Sequence, residues 1–155
     1  MDIEMEIKTI LIVDDNPYDV ELTIAALTEN NLANEIVVAE DGLEALDYLY
    51  KRGKFTGCKN NIPVVILLDI KMPKLSGIEV LKHIRSTPKF MTIPVIMVTS
   101  SADEKDLIES YKLGANSYVV KPIDIVQFIN AIKILGQYWA VINKVPVVTK
   151  DVFRF

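Results

Sequence analysis

A chain of 155 residues, half of them hydrophobic, fits one domain, residues 1–155, with a sizeable buried core. Its formal charge of −4, with no clustered basic run, argues against a nucleic-acid binder. One cysteine excludes an intramolecular disulfide framework, and the acidic N-terminal MDIEMEIK precedes an apolar run too short for a signal or membrane segment; a soluble, cytoplasmic protein is expected.

The first predicted strand is Thr9–Val13, with two carboxylates, Asp14 and Asp15, at its end. Pro17 suits the first turn of a helix, with Asp15 or Asn16 as cap and Val20, Ile24 and Leu27 at helical spacing. Glu35–Ala39 is the second strand, after which Asp41 can cap a helix holding Leu43, Leu46 and Leu49. Residues 51–63, KRGKFTGCKNNIP, are rich in Gly, Asn and Lys and predict a long exposed loop around an inert Cys58. The third strand, residues 64–68, runs into Asp69, and Ser76 can cap a helix with Val80, Leu81 and Ile84; His83 on it reads as a surface histidine.

The fourth predicted strand, residues 94–98, is followed by Thr99. A helix over residues 104–113 carries Leu107, Ile108 and Tyr111 and stops at Gly114, a plausible C′ position. The fifth strand, Ser117–Val120, ends at Lys121, whose bond to Pro122 is a candidate cis peptide that would aim the amine at the sheet edge. Asp124 opens the last helix, with Ile125, Phe128, Ile129, Ile132 and Leu135 on one stripe. Beyond it, Tyr138, Trp139, Val141 and Ile142 either fold back on their own domain or form an apolar patch for a homodimer.

Continuous apolar strands alternating with amphipathic helices predict an α/β fold: a five-stranded parallel sheet covered on both faces, joined by right-handed crossovers. In such a sheet the carboxyl ends of the strands share one edge, where ligands bind. Asp14, Asp15, Asp69, Thr99 and Lys121 all fall there, so residues far apart in sequence converge on one site. Three carboxylates at one edge repel one another unless a cation neutralises them, and Mg²⁺ suits carboxylate oxygens. Lys121 adds a compact positive charge and Thr99 a hydroxyl. The sequence has no GxxxxGK[ST] loop. The chemistry that fits is phosphoryl transfer to a carboxylate oxygen of Asp69, with the metal and Lys121 balancing charge.

The motifs LIVDDN, LLDIKMPKLSG, MVTSS and YVVKP, in this order, resemble the receiver domain of bacterial two-component response regulators. The resemblance covers roughly residues 8–136, with residues 137–155 as a C-terminal tail. It implies the flavodoxin-like strand order 2-1-3-4-5, with Asp69 as phosphoacceptor. It implies Mg²⁺ bound by Asp15, Asp69 and the backbone carbonyl of Lys71, with Asp14 acting through water. Thr99 and Lys121 would contact the phosphoryl group, and Tyr118 would be the switch aromatic, following Thr99 inward when the phosphoryl group arrives. Such a protein catalyses only its own phosphorylation and dephosphorylation and is not otherwise an enzyme.

The chain ends too soon after this region for a DNA-binding output domain, so a stand-alone receiver or phosphorelay intermediate that binds a downstream protein is expected. The long loop and aromatic tail resemble small receivers that partner phytochrome-like histidine kinases. Two alternatives stand beside this. A phosphorylation-independent interaction module would have lost part of the acid and lysine set, which is complete here, and an aspartyl-phosphate hydrolase would need a second acid two residues past Asp69, where Lys71 stands. Lys71 and Ser101, two residues beyond Asp69 and Thr99, flank the path of an attacking water and are expected to set the phosphoryl lifetime. Simpler roles are open for several residues: Asp14 and Asp15 as helix caps, Tyr118 as core filling, Gly77 as a turn glycine.

Overall fold

The computed structural model describes residues 8–33, 35–58 and 62–146. Strands and helices alternate in chain order: β1 (Thr9–Val13), α1 (Pro17–Glu29), β2 (Glu35–Ala39), α2 (Gly42–Tyr50), β3 (Val65–Leu68), α3 (Gly77–Ser86), β4 (Val95–Thr99), α4 (Glu104–Lys112), β5 (Ser117–Val120) and α5 (Ile125–Gly136). The five strands are all parallel and run β2-β1-β3-β4-β5 across one sheet. This is the predicted order.

Successive strand residues point to opposite faces, so the apolar runs divide between two cores. Leu11, Val13, Ile66, Leu68, Val95 and Met97 pack with α2 and α3, whereas Ile10, Ile12, Val65, Leu67, Ile96 and Val98 pack with α1 and α5. The central strands β1, β3 and β4 are buried throughout; β2 and β5, at the edges, are largely half-buried. The fourth strand lies one residue later than predicted, with Thr99 as its last residue. Pro94 has no N–H to donate, although its carbonyl still accepts from Ile66 at 2.9 Å.

Each helix begins at a side chain that accepts from free backbone N–H groups. Asn16, rather than Asp15, caps α1, accepting from Tyr18 and Asp19. Asp41, Ser76, Asp103 and Asp124 cap α2, α3, α4 and α5, and Ser76 forms a reciprocal capping box with Glu79. Gly114 takes the left-handed conformation after α4, at φ +97°, as predicted.

Several helical faces differ from the predicted stripes. Leu43, Ile108, Tyr111 and Ile125 are exposed, while Tyr48 in α2 and Ser110 in α4 are fully buried. Helical spacing marks a face but not its rotation against the sheet, and short side chains can approach closest. The described part of the loop after α2, residues 51–58, is largely exposed, as its composition predicts, and residues 59–61 lie outside the described residues. A 3₁₀ turn at Gly53–Phe55 brings Phe55 edge-on to Tyr48 with ring centroids 5.2 Å apart, leaving Cys58 exposed. His83 lies at the surface away from the carboxyl edge, as predicted, half-buried and sharing a 2.8 Å hydrogen bond with the Tyr50 hydroxyl.

The tail splits between its two predicted fates. Gln137–Ile142 continues α5 as a π-helical turn. Ala140 is buried and Trp139 packs beside it on the core shared with α1, but Tyr138, Val141 and Ile142 face outward. Residues 147–155 of the predicted tail lie outside the described residues. The stretch Ile125–Ile142 is long and apolar enough to cross a membrane by length and composition alone. Its Phe128, Ile132 and Ala140 are buried in the core that includes Ala26 and Leu27 of α1, whereas Val126, Ile134, Val141 and Ile142 are exposed, so the stretch packs on the domain by one face.

Candidate functional site

Three backbone hydrogen bonds fix the carboxyl edge of the sheet one residue past each strand. The Asp14 N–H donates to Ala39 at 3.1 Å, the Asp69 N–H to Val13 at 2.9 Å, and the Lys121 N–H to Thr99 at 2.7 Å. Each side chain is therefore held by an extension of the ladder and not by a mobile loop. The Lys121–Pro122 bond is trans, in contrast to the cis candidate, and no described bond is cis.

The Lys121 ammonium lies among three carboxylates: Nζ is 2.8 Å from Asp14, 2.9 Å from Asp19 and 3.1 Å from Asp69. Its side chain is only 6% exposed. Burial alone would drive its proton off, but hydrogen bonds to Asp14 and Asp19 and the charges of Asp14 and Asp69 outweigh it, holding the group above the ordinary lysine range. Asp14 is pushed up by burial, against the pull of Lys121.

The two buried carboxylates of the site, Asp14 and Asp69, use both of their oxygens. Asp14 accepts from the Asn16 N–H at 2.9 Å and from Lys121. Asp69 accepts from the Ile70 N–H at 2.7 Å and from Lys121. Asp15 is exposed, and carboxylate oxygens of Asp14, Asp15 and Asp69 lie within 4.8 Å of one another. One lysine cannot balance these acids together with Asp19, so hard oxygen donors with residual negative charge remain. That donor set suits a divalent cation such as Mg²⁺ or Mn²⁺.

A solvent-open cleft of about 200 Å³ lies over these groups, lined by Asp15, Asp69, Lys71, Thr99, Ser101 and Lys121 among others. All the predicted strand-end residues but Asp14 line it, and Asp14 reaches it through Lys121. Thr99 is buried, its hydroxyl accepting from the Ser101 N–H at 3.2 Å. The Ser101 carbonyl accepts from the Tyr118 hydroxyl at 2.8 Å, and the Ser101 hydroxyl donates to Asp106 at 2.7 Å. Ser101 thus joins Thr99, Tyr118 and α4, a role its sequence position did not reveal. Tyr118 is not core filling alone, because its hydroxyl is tied to the β4–α4 loop.

Asp19 was also missed. It reads as a first-turn acid on α1, and nothing in the sequence around it points to the edge.

A doubly wound sheet with an acidic cleft, a buried lysine and a strand-end threonine defines a class of phosphoryl-accepting folds. The chain matches the response regulator receiver domain over residues 10–133, and it belongs to that family. It is 33% identical over 132 residues to response regulator Rcp1 of Synechocystis sp., covering 85% of this chain and 88% of the relative. The Mn²⁺-bound structure of Rcp1 superposes with a TM-score of 0.84 at 31% identity, covering 90% of this chain and 99% of that one. The phosphorylated cyanobacterial phytochrome response regulator RcpA gives a TM-score of 0.85 at 34% identity, over 92% of this chain and all of that one. The bacteriophytochrome response regulator RtBRR gives 0.72 at 49% identity, over 91% and 85%.

Proposed function

We propose that this receiver takes a phosphoryl group from a histidine kinase onto Asp69 and thereby switches a protein-binding surface. The observation that carries this is Lys121 Nζ at 3.1 Å from Asp69 Oδ2 at the floor of a cleft open to solvent. The bond formed joins an Asp69 carboxylate oxygen to phosphorus. The bond broken joins phosphorus to the kinase imidazole, which leaves with its electron pair.

Asp15, Asp69 and the Lys71 carbonyl are the proposed ligands of Mg²⁺, which when bound would offset charge on the phosphoryl oxygens. Asp14, with both oxygens already engaged, suits contact through water. Lys121 leaves part of its carboxylate cage to meet the phosphoryl group, and the Thr99 hydroxyl, which accepts from the Ser101 N–H, donates its own hydrogen to a phosphoryl oxygen. Because Ser101 is bonded to both Thr99 and Tyr118, a movement of Thr99 toward the phosphoryl group is passed to the tyrosine and the start of α4 together. Lys71 and Ser101 flank the water that ends the signal.

The kinase is proposed to be phytochrome-like, supported by the relatives' likeness, and the protein to act in the cytoplasm on a downstream protein target. A homodimer through the outward apolar residues Tyr138, Val141 and Ile142 is a further part of this proposal, checked by a concentration series in analytical ultracentrifugation.

Incubation with Mg²⁺ and acetyl phosphate, read by intact mass, tests the central step. One phosphoryl adduct is expected on the wild type, none on Asp69→Asn, and none after chelation. A wild type that gains no adduct overturns the proposal, and rapid turnover of many phosphate esters would point instead to a hydrolase.

A further inference from the structure

Lys121 has three carboxylate partners where a phosphoryl-transfer site of the kind proposed above needs its ammonium free to move. Two of the three, Asp14 and Asp69, are also oxygen donors of the acidic trio suited to a cation. The third, Asp19, lies outside that trio. It sits in the first turn of α1, where its N–H donates to the Asn16 side chain at 3.2 Å and its carbonyl accepts from the Thr23 hydroxyl at 2.8 Å. Its backbone is thus fixed by the helix cap, and its side chain, 18% exposed, is given over to the 2.9 Å contact with Lys121.

From this geometry we infer that Asp19 is a positioning residue for Lys121: it offers the ammonium a resting partner when a cation claims Asp14 and Asp69, and competes with the phosphoryl group for it. Two consequences of opposite sign follow. Without Asp19 the cleft loses one negative charge and Lys121 rests wholly on Asp14 and Asp69, so a cation binds less well. Once the cation is in place, an ammonium with no third carboxylate is freer to meet a phosphoryl oxygen, so a phosphoryl mimic binds better. A residue that merely supported the fold would move both affinities the same way.

This inference rests on the proposed phosphoryl-acceptor function, and calorimetry separates the two. Mg²⁺ alone, and beryllofluoride at saturating Mg²⁺, are titrated into the wild type, Asp19→Asn, Asp19→Ser and Glu21→Gln. Glu21 is an exposed acid two residues away on the same helix, so its substitution makes the same change in net charge outside the cleft. The expected result for both Asp19 variants is Mg²⁺ binding weaker by about tenfold and beryllofluoride binding tighter by about threefold, with Glu21→Gln unchanged. If both affinities fall together, if neither moves, or if Glu21→Gln reproduces the effect, the role of Asp19 is overturned while the phosphoryl-acceptor function stands. A wild type that binds neither probe overturns the proposed function and the inference with it. Asn and Ser both suit a first helical turn, and circular dichroism of each variant verifies that the fold is kept.

Discussion

Gly77, the first residue of α3, lies so close to the end of β3 that a methyl group on it would sit 2.0 Å from the Asp69 carbonyl oxygen. Its N–H also donates to the Ile70 carbonyl at 2.8 Å, so the loop carrying residues 70–76 closes on itself directly beside the candidate phosphoacceptor. The atoms in the way are backbone and cannot swing aside. Gly77→Ala should therefore destabilise by about 1–3 kcal/mol and displace Asp69. Denaturant unfolding measures the first effect; a slower gain of phosphoryl adduct at a temperature where the variant is folded measures the second.

This glycine reads from sequence as a turn residue, and the structure gives it a different role. Its φ is not in the left-handed region; what matters is the missing Cβ. The caps of α2, α3 and α5 and the convergence of Asp14, Asp69, Thr99 and Lys121 were legible from the residues, because strand ends of a parallel sheet share an edge whatever the details of packing, whereas the strand order came from the resemblance to the receiver family. Asp19, Ser101 and Gly77 were not, because their roles depend on distances across elements. A side chain 102 residues from Lys121 leaves no local pattern in the sequence around either. The rotation of α2 and α4 was hidden for a related reason: Leu43 and Ile108 occupy helical spacings that sit well with either face.

At the opposite edge of the sheet, Arg85 gathers the loops that enter β4 and β5. Its guanidinium donates to the carbonyls of Gly114, Met91 and Ile93 and to the Asn116 side chain, at 2.7 to 3.1 Å. Arg85→Ala should cost about 1–2 kcal/mol in denaturant unfolding, since the part-buried Ile93 carbonyl and three exposed acceptors lose a charged donor. Arg85→Lys should recover little of this, because one ammonium cannot span four acceptors in a planar fork. Phosphoryl adduct formation under folded conditions should be unaffected, which separates this structural residue from those of the cleft.

Tyr118 connects the edge strand to the β4–α4 loop through its hydroxyl alone, so Tyr118→Phe removes that bond and keeps the ring. The expected cost is about 1 kcal/mol, with faster amide exchange at Ser101 and the start of α4 and an unchanged rate of adduct formation. Burial raises the phenol above its ordinary value of 10.0, so the hydroxyl stays a donor to the Ser101 carbonyl through neutral pH. A raised phenol contributes its stability fully below the unfolded value and loses it as the pH rises through the folded one. The difference in stability between wild type and Tyr118→Phe should therefore be constant from pH 6 to 9 and shrink only above pH 10. A difference that varies across neutral pH would show that the tyrosine bond is not its source.

Gly136 offers the counterpart to Gly77 at the junction of α5 and its extension. A methyl here would lie 2.8 Å from both the Leu27 and Leu32 side-chain ends, and Leu27 is fully buried. Methyl ends can shift by tenths of an ångström where a carbonyl cannot, and alanine gains roughly 1 kcal/mol of helix propensity over glycine, so Gly136→Ala should be close to neutral. Gly136→Val adds more bulk than those leucines can yield to and should prise the extension away from α1. Trp139, the only tryptophan in the chain, reports this directly. Its emission should shift to longer wavelength in Gly136→Val and stay in place in Gly136→Ala. An unshifted spectrum in the valine variant would mean that Trp139 and Ala140 hold the extension down without close contact at Gly136.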